Sequence, residues 1–190
     1  MDLFSAQLPP GLIYLDHWVC DAEHDVALYA IDSLPFNDVL SRRTQQYGYL
    51  YDYQSAEVNV KDLAPQPPEA LAQLAQRLAD EGHFHRVPDQ IIVNEYLAGQ
   101  GIAEHVDRDS FGPVVATVSL LESWPMMFTG PNNQGIEVLL GSSSLVLMTG
   151  ASRSLWKHEI KKRKNDLVGG LKVPRTRRVS LTFRTVNEMD

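Results

Sequence analysis

Arg178-Val179-Ser180-Leu181-Thr182-Phe183-Arg184 alternates polar and apolar residues without a break. Successive side chains of a strand point to opposite faces, so Val179, Leu181 and Phe183 share one side and Arg178, Ser180, Thr182 and Arg184 the other. The first side can pack on a core. The second sets two guanidiniums and two hydroxyls along one line. Two arginine forks held on a strand suit a dicarboxylate, because each can meet a carboxylate through paired hydrogen bonds. Alternation alone describes an edge strand with a solvated polar face equally well.

Working outward, strand-like runs recur at Tyr47 to Tyr53, Gln90 to Leu97, Val114 to Leu121, Pro125 to Phe128, Ile136 to Leu140 and Leu145 to Met148. Turn signals separate them: Gly99-Gln100-Gly101, Gly112-Pro113, the stretch from Gly130 to Gly135, Gly141-Ser142 and Gly169-Gly170. Two helices come early. Asp21 can cap one running to about Asp32, with Val26, Ala27, Ala30 and Ile31 at helical spacing. Pro67-Pro68 start the other, Leu71, Leu74, Ala75 and Leu78 form its stripe, and Gly82 ends it. The expected class is mainly β with flanking α: a sandwich or barrel with two helices packed outside one sheet. Internal repeats, low-complexity tracts and long linkers are absent from the sequence.

The run Ala103-Glu104-His105-Val106-Asp107-Arg108-Asp109 carries the chemistry. In an extended segment His105 and Asp107 point to the same face and reach one ion together. Two histidines and a carboxylate on one face of a metal leave the opposite positions open, the arrangement of non-haem Fe(II) oxygenases. The second histidine comes from a short inventory: His17, His24, His83, His85 and His158. His158, downstream of the Leu145 to Met148 run, fits best as a ligand from a distant strand. His83-Phe84-His85 reads as surface or packing, since no nearby carboxylate or cysteine completes a site. A lone His-x-Asp is weak, and a single histidine is more often hydrogen-bonded structure than a ligand. Asn94 and Tyr96, two apart on a strand, offer an amide and a phenol to the same co-substrate as the arginines.

Bulk composition sets bounds. At 190 residues, 44% hydrophobic and 22% charged, the chain suits one domain with a sizeable core. Cys20 is the one cysteine, which excludes an intrachain disulfide and a cysteine-built zinc site and suits a reducing compartment such as the cytoplasm. No apolar run reaches membrane-spanning length, and the N-terminal MDLFSAQLPPG lacks the features of a signal peptide. The net charge of -7 hides an asymmetry. Residues 1–150 hold 6 Lys/Arg and 20 Asp/Glu, whereas residues 151–190 hold 11 and 4. Polyanions respond to the local field, so the basic C-terminal stretch leaves nucleic acid open as a partner. A run such as Lys161-Lys162-Arg163-Lys164 is equally well read as a solvated face.

Taken together, these residues resemble the AlkB-type dioxygenases, from about Leu8 to Arg184. Gly48-Tyr49-Leu50-Tyr51 resembles the family's nucleotide-recognition lid, and Asn94-Glu95-Tyr96 its Asn-x-Tyr. His105-x-Asp107 with His158 resembles the iron triad, Met148 to Arg153 the stretch ahead of its second histidine, and Arg178 to Arg184 the closing Arg-x5-Arg. The resemblance implies a double-stranded β-helix (a jelly roll) over about residues 88–185, preceded by helix and lid over about 8–60, within a single domain of 1–190. It implies Fe(II) at His105, Asp107 and His158, and 2-oxoglutarate at Asn94, Tyr96, Arg178, Ser180 and Arg184, with O2 as second co-substrate. The reaction implied is oxidative decarboxylation of 2-oxoglutarate to succinate and CO2, coupled to hydroxylation of a substrate C–H. On an N-methyl group the hydroxylated carbon leaves as formaldehyde.

The substrate expectation follows from the same resemblance. Tyr49, Tyr51 and Arg43 are expected at a flipped nucleotide. Asp109, two beyond Asp107 and so on its side of an extended chain, is expected to favour cationic bases such as 1-methyladenine and 3-methylcytosine. The leading expectation is demethylation of N-alkylated bases in DNA or RNA, with no membrane and no obligate protein partner. Other stretches resemble the branch that hydroxylates a modified wobble uridine in tRNA: Arg42-Arg43 ahead of Tyr47, Pro88-Asp89-Gln90, Gly99 to Ile102, and Trp156 before His158. Arg42 stands where some repair members carry a stacking tryptophan, and Ser180 where the repair prototype has asparagine. A protein or small-molecule substrate is the remaining alternative.

Overall fold

The computed structural model describes residues 8–53, 55 and 57–187. The first seven residues, part of the N-terminal stretch read above for a signal peptide, lie outside them. In chain order the elements are β1 (Leu12–Leu15), α1 (Asp21–Asp32), β2 (Arg43–Asp52), β3 (Glu57–Leu63), α2 (Glu69–Asp80), β4 (Gln90–Leu97), β5 (Ile102–His105), β6 (Phe111–Leu121), β7 (Trp124–Thr129) and β8 (Gly135–Leu140). There follow β9 (Leu145–Met148), α3 (Gly150–Ser154), β10 (Lys157–Ile160), β11 (Asn165–Val168), β12 (Leu171–Pro174) and β13 (Arg177–Val186).

Two antiparallel sheets form the body. The larger runs β1-β9-β6-β13-β4-β2-β3 and the smaller β5-β10-β7-β8, while β11 and β12 pair with each other as a separate ribbon. β13, which carries Arg178 to Arg184, lies in the middle of the large sheet between β6 and β4. Its two faces do what the alternation predicts. Val179, Leu181 and Phe183 are fully buried with Val93, Ala116 and Val118 against Ala27 and Ile31 of α1 and Leu71, Leu74 and Leu78 of α2. Burying side chains of this size stabilises by roughly 1.5–3 kcal/mol each. Both helices therefore cover one face of the large sheet.

The opposite face looks into the interior between the sheets. There Tyr96, Val115, Val146 and Met148 of the large sheet meet Trp124, Met126, Phe128, Val138, Leu140 and Ile160 of the small one. This is the jelly-roll architecture, with the sheets open rather than closed into a barrel. Arg178, Ser180, Thr182 and Arg184 point into it and line its cavity. The edge-strand alternative is thereby overturned: a central strand with both faces covered has no solvated side.

The two long helices fall where helical spacing puts them. In α1 the Cys20 N–H donates to the Glu23 carboxylate at 2.9 Å, closing the first turn. After α2, Gly82 takes φ +76°, which ends the helix. Sequence periodicity misses α3 and the short strands β1, β3, β10, β11 and β12, which offer four to seven residues each and too few periods to stand out. Among the described residues no helix is long and apolar enough to cross a membrane.

Candidate active site

β5 and β10 are antiparallel neighbours, and their register places His105 directly opposite His158. The two imidazole centroids lie 4.3 Å apart. Past His105 the chain leaves the sheet and brings Asp107 back over the pair, with its Oδ2 3.6 Å from His158 Nε2. One ligand atom from each of the three lies within 4.8 Å of the others, the one such cluster among the described residues. His105 Nδ1 is 2.8 Å from the Ala103 carbonyl, which can only accept, so Nδ1 is the donor nitrogen and Nε2 is the one left to face a metal. Burial pushes the His158 imidazole down to about 4, against the opposing pull of Asp107, and keeps it neutral.

Two arginines hold the acidic ligand. Arg184 donates from Nη1 to Asp107 Oδ1 at 2.8 Å and from Nε to Gln90 Oε1 at 2.8 Å. Burial pushes the Asp107 carboxyl up, but Arg184, His158, His105 and Arg153 together outweigh it and leave it below its usual value. Arg153, from α3, is itself buried and donates to the carbonyls of Asp107, Arg108, Phe111 and Gly112 at 2.7–3.3 Å. The whole loop that carries Asp107 is thus wrapped around one guanidinium. The resemblance covers Met148 to Arg153, but the sequence gives Arg153 no role, because an arginine that wraps a loop about 40 residues away leaves no local signal.

Deeper in the cavity, Arg178 is 1% exposed. Its Nη2 donates to Ser119 Oγ at 2.8 Å, its Cζ lies 5.6 Å from the Tyr96 ring centroid, and its Nε has no partner among the described residues. Burial lowers its pKa to about 10, and among the described residues no carboxylate faces it. The register sets Arg178 beside Tyr96 and Ser180 beside Asn94, so the four side chains form one patch across β13 and β4. Arg178 and Arg184 thus differ: one guanidinium lacks an anion, the other is already paired with Asp107.

At the outer wall several expected contacts move. Tyr51 lines the cavity, but Arg43, Tyr49 and Asp109 do not. Arg43 shares a face of β2 with Gln45 and Tyr47, the helix side, where it pairs with Glu95 at 2.6 Å. Arg42, one residue earlier, lines the cavity with Tyr53. Gly48 takes φ +80° and a register shift follows between Tyr49 and Tyr51, so strand parity changes within β2. Tyr49, before the shift, keeps the helix-side face of Tyr47 and faces a groove beside α2, whereas Tyr51, after it, faces the cavity. Asp109 is exposed in a turn closed by the Phe111 N–H to the Arg108 carbonyl at 3.1 Å, so the extended geometry that put it beside Asp107 does not extend that far.

The cavity, of about 640 Å³, therefore joins three imidazole or carboxylate ligands to an unpaired buried guanidinium. A family model described as the 2OG-Fe(II) oxygenase superfamily matches residues 33–184. This chain is a 2OG-Fe(II) oxygenase of the AlkB type. It is 32% identical to the mouse tRNA (carboxymethyluridine(34)-5-O)-methyltransferase ALKBH8 over 96% of its own length, spanning 31% of that protein. It is 36% identical to the mimivirus protein L905, covering 76% of this chain and 70% of that one. In structure it resembles OsALKBH1, with a TM-score of 0.71 at 20% identity over 94% of this chain and 98% of the other. A Pseudomonas putida prolyl-4-hydroxylase gives 0.60 at 19% identity over 93% and 94%.

The oxygenase uses Fe(II), 2-oxoglutarate and O2, and its residues fit them. Iron would be held by His105, Asp107 and His158, whose two imidazoles and single carboxylate are the donor set such an ion takes. The orphaned Nε of Arg178 fits the far carboxylate of 2-oxoglutarate, with Tyr96, Asn94 and Ser180 beside it. When bound, the iron supplies O2 activation coupled to loss of CO2 from 2-oxoglutarate. The chain's part would be to hold the acid through Arg178 and Asp107 through Arg184 and Arg153, with burial keeping His158 neutral.

Proposed function

We propose that this oxygenase hydroxylates a carbon on an uncharged, oxygen-rich nucleobase in RNA, with a modified tRNA uridine as the leading case. One observation carries the reading: the charge of the cavity wall. Its lining residues include four guanidiniums, Arg42, Arg108, Arg178 and Arg184, and two carboxylates, Glu104 and Asp107. Asp107 is engaged by Arg184, and Glu104 faces Lys157 at 3.3 Å. No lining carboxylate is left to meet a cationic base, whereas Arg42 has terminal nitrogens without acceptors among the described residues. A neutral pyrimidine with carbonyl oxygens suits such a wall.

The relatives support the nucleic-acid part. The chain spans about a third of the mouse protein, whose name identifies a tRNA carboxymethyluridine as its target, and the substrate class rather than methyl transfer is what we carry over. Demethylation of N-alkylated bases is the second reading, supported by a zebrafish relative named a probable RNA/DNA demethylase at 23% identity. The two separate on substrate charge. With Fe(II) and 2-oxoglutarate, the protein would be given RNA stem-loops bearing a 5-substituted uridine, or oligonucleotides bearing 1-methyladenine or 3-methylcytosine. Succinate with a one-oxygen mass gain on the uridine is the expected result. Formaldehyde release from the methylated bases, with an unmodified uridine product, would reverse the assignment.

A further inference from the structure

The ribbon β11–β12 has no role in the site above, yet it is built to stand out. Leu167 and Leu171 are 72% and 73% exposed, and every residue of β12 is exposed. An isolated two-stranded ribbon is marginal in water by itself. This one is clamped at its base. Arg175, buried, meets Asp166 through two hydrogen bonds of 2.7 and 3.0 Å, donates to the Lys161 carbonyl at 2.8 Å, and lies over the Trp124 ring at 4.2 Å. A buried bidentate pair whose outcome is to hold two leucines in solvent is a cost without a return inside the fold.

Basic residues surround this ribbon. Lys162 and Lys164 precede β11 and Lys172 lies in β12, all exposed. Among the described residues no carboxylate pairs with any of the three, while Asp166 is neutralised by Arg175 and Arg163. The segment leads to the cavity mouth. The Gly99 N–H donates to the Arg163 carbonyl at 3.1 Å, and a Cβ on Gly101 would lie 2.1 Å from the Ile160 carbonyl, so residues 160–163 run flush against the turn 99–101. From that turn Gln100 reaches the Ser41 carbonyl, next to Arg42 on the cavity wall.

We infer that Lys162, Lys164 and Lys172, with the clamped Leu167 and Leu171, form a docking surface for the RNA that flanks the target nucleotide. The inference rests on the RNA reading above. Lys162 and Lys164 before the ribbon and Lys172 in β12 meet successive phosphates. The register sets Leu167 beside Lys172 on one face and Leu171 on the other, so a loop wrapping the end of the ribbon packs unstacked bases or ribose on both leucines. Charge complementarity, and continuity with the wall that faces the base, select nucleic acid as the occupant.

The test compares the full-length protein with a Lys162→Ala/Lys164→Ala/Lys172→Ala variant and a Leu167→Ser/Leu171→Ser variant. Binding of a fluorescein-labelled RNA stem-loop is followed across a salt series, and 2-oxoglutarate turnover with a modified mononucleoside is measured alongside. The lysine variant is expected to bind at least tenfold more weakly and to lower the salt slope by about 2, since each single-strand phosphate contact contributes about 0.7. The leucine variant should weaken binding with the slope unchanged. Nucleoside turnover should be retained in both, which confirms that the fold and iron site are intact. Unchanged RNA affinity and slope in both variants, with the parent protein active on the stem-loop, would overturn the docking surface and leave the function standing. A parent protein that neither binds nor oxidises any RNA would overturn both. Loss of binding to phosphatidylserine vesicles in the leucine variant, with RNA binding untouched, would reassign the ribbon to a lipid surface.

Discussion

Arg184 Nη1 and Asp107 Oδ1 lie 2.8 Å apart in a buried pair that ties the end of the central strand to the acidic metal ligand. The bond occupies one carboxylate oxygen and leaves Oδ2 facing His158. Arg184 would thus act as a positioning residue for the acidic ligand, besides the 2-oxoglutarate contact that the resemblance implies. Arg184→Lys keeps the charge and loses the fork that spans Asp107 and Gln90. Residues that orient a metal ligand typically change affinity about 10–100-fold. Titration with Mn(II) as a redox-silent probe should show a loss of that order. Unchanged metal affinity would make the pair incidental.

Arg178 makes the opposite case. Among the described residues its buried guanidinium meets no anion, and its Nε has no acceptor. Arg178→Ala should cost 2-oxoglutarate affinity roughly 2–5 kcal/mol, the range for truncating one side of a buried charged pair. Metal affinity should move far less. Isothermal titration of 2-oxoglutarate into the Mn(II) form separates the two arginines. If Arg184→Lys weakens 2-oxoglutarate more than Arg178→Ala does, their roles are exchanged.

Arg153 predicts a stability effect with a local signature. Four backbone carbonyls between Asp107 and Gly112 accept from it, and truncation leaves buried acceptors unsatisfied. Arg153→Ala should destabilise the protein by on the order of 3 kcal/mol, read as a lower denaturation midpoint. Hydrogen exchange should rise first in residues 107–112. Uniformly raised exchange would show that Arg153 supports the whole sheet rather than the metal loop.

Much of this site is legible in the sequence because strand geometry is short-range. Arg178 to Arg184 has a period of two, and pairing with β4 and β6 on both sides preserves it over the full length. His105 and His158 stand out because few histidines compete. The failures occur where the period breaks. Asp109 lies in a turn, and Arg43 and Tyr49 precede the register shift, between Tyr49 and Tyr51, that changes the parity of β2. A Cβ on Gly48 would lie 1.8 Å from the Asp89 carbonyl, so close backbone approach, invisible in a single sequence, fixes that glycine. Arg153 and the β11–β12 clamp depend on contacts 9 to 51 residues apart that carry no local pattern.

Arg42 offers the sharpest test of substrate charge. Its Nε donates to Asn94 Oδ1 at 2.7 Å, so the side chain is anchored at one nitrogen with its terminal nitrogens toward the cavity. Arg42→Gln keeps a donor for Asn94 and removes the positive charge from the wall. Under the uridine reading, kcat/KM for the neutral base should fall by about tenfold, one charge-assisted hydrogen bond. Any activity on 1-methyladenine or 3-methylcytosine should rise, because the repulsion on a cationic base is gone. The two substrates compete for one cavity, so the ratio of their kcat/KM values in a mixed reaction cancels differences in iron loading between preparations. A ratio that stays constant, with both activities lower, would make Arg42 a support for Asn94 alone. A ratio that shifts toward the neutral base would mean that the guanidinium does not set the sign of the cavity, and that Arg108 or the docked RNA does.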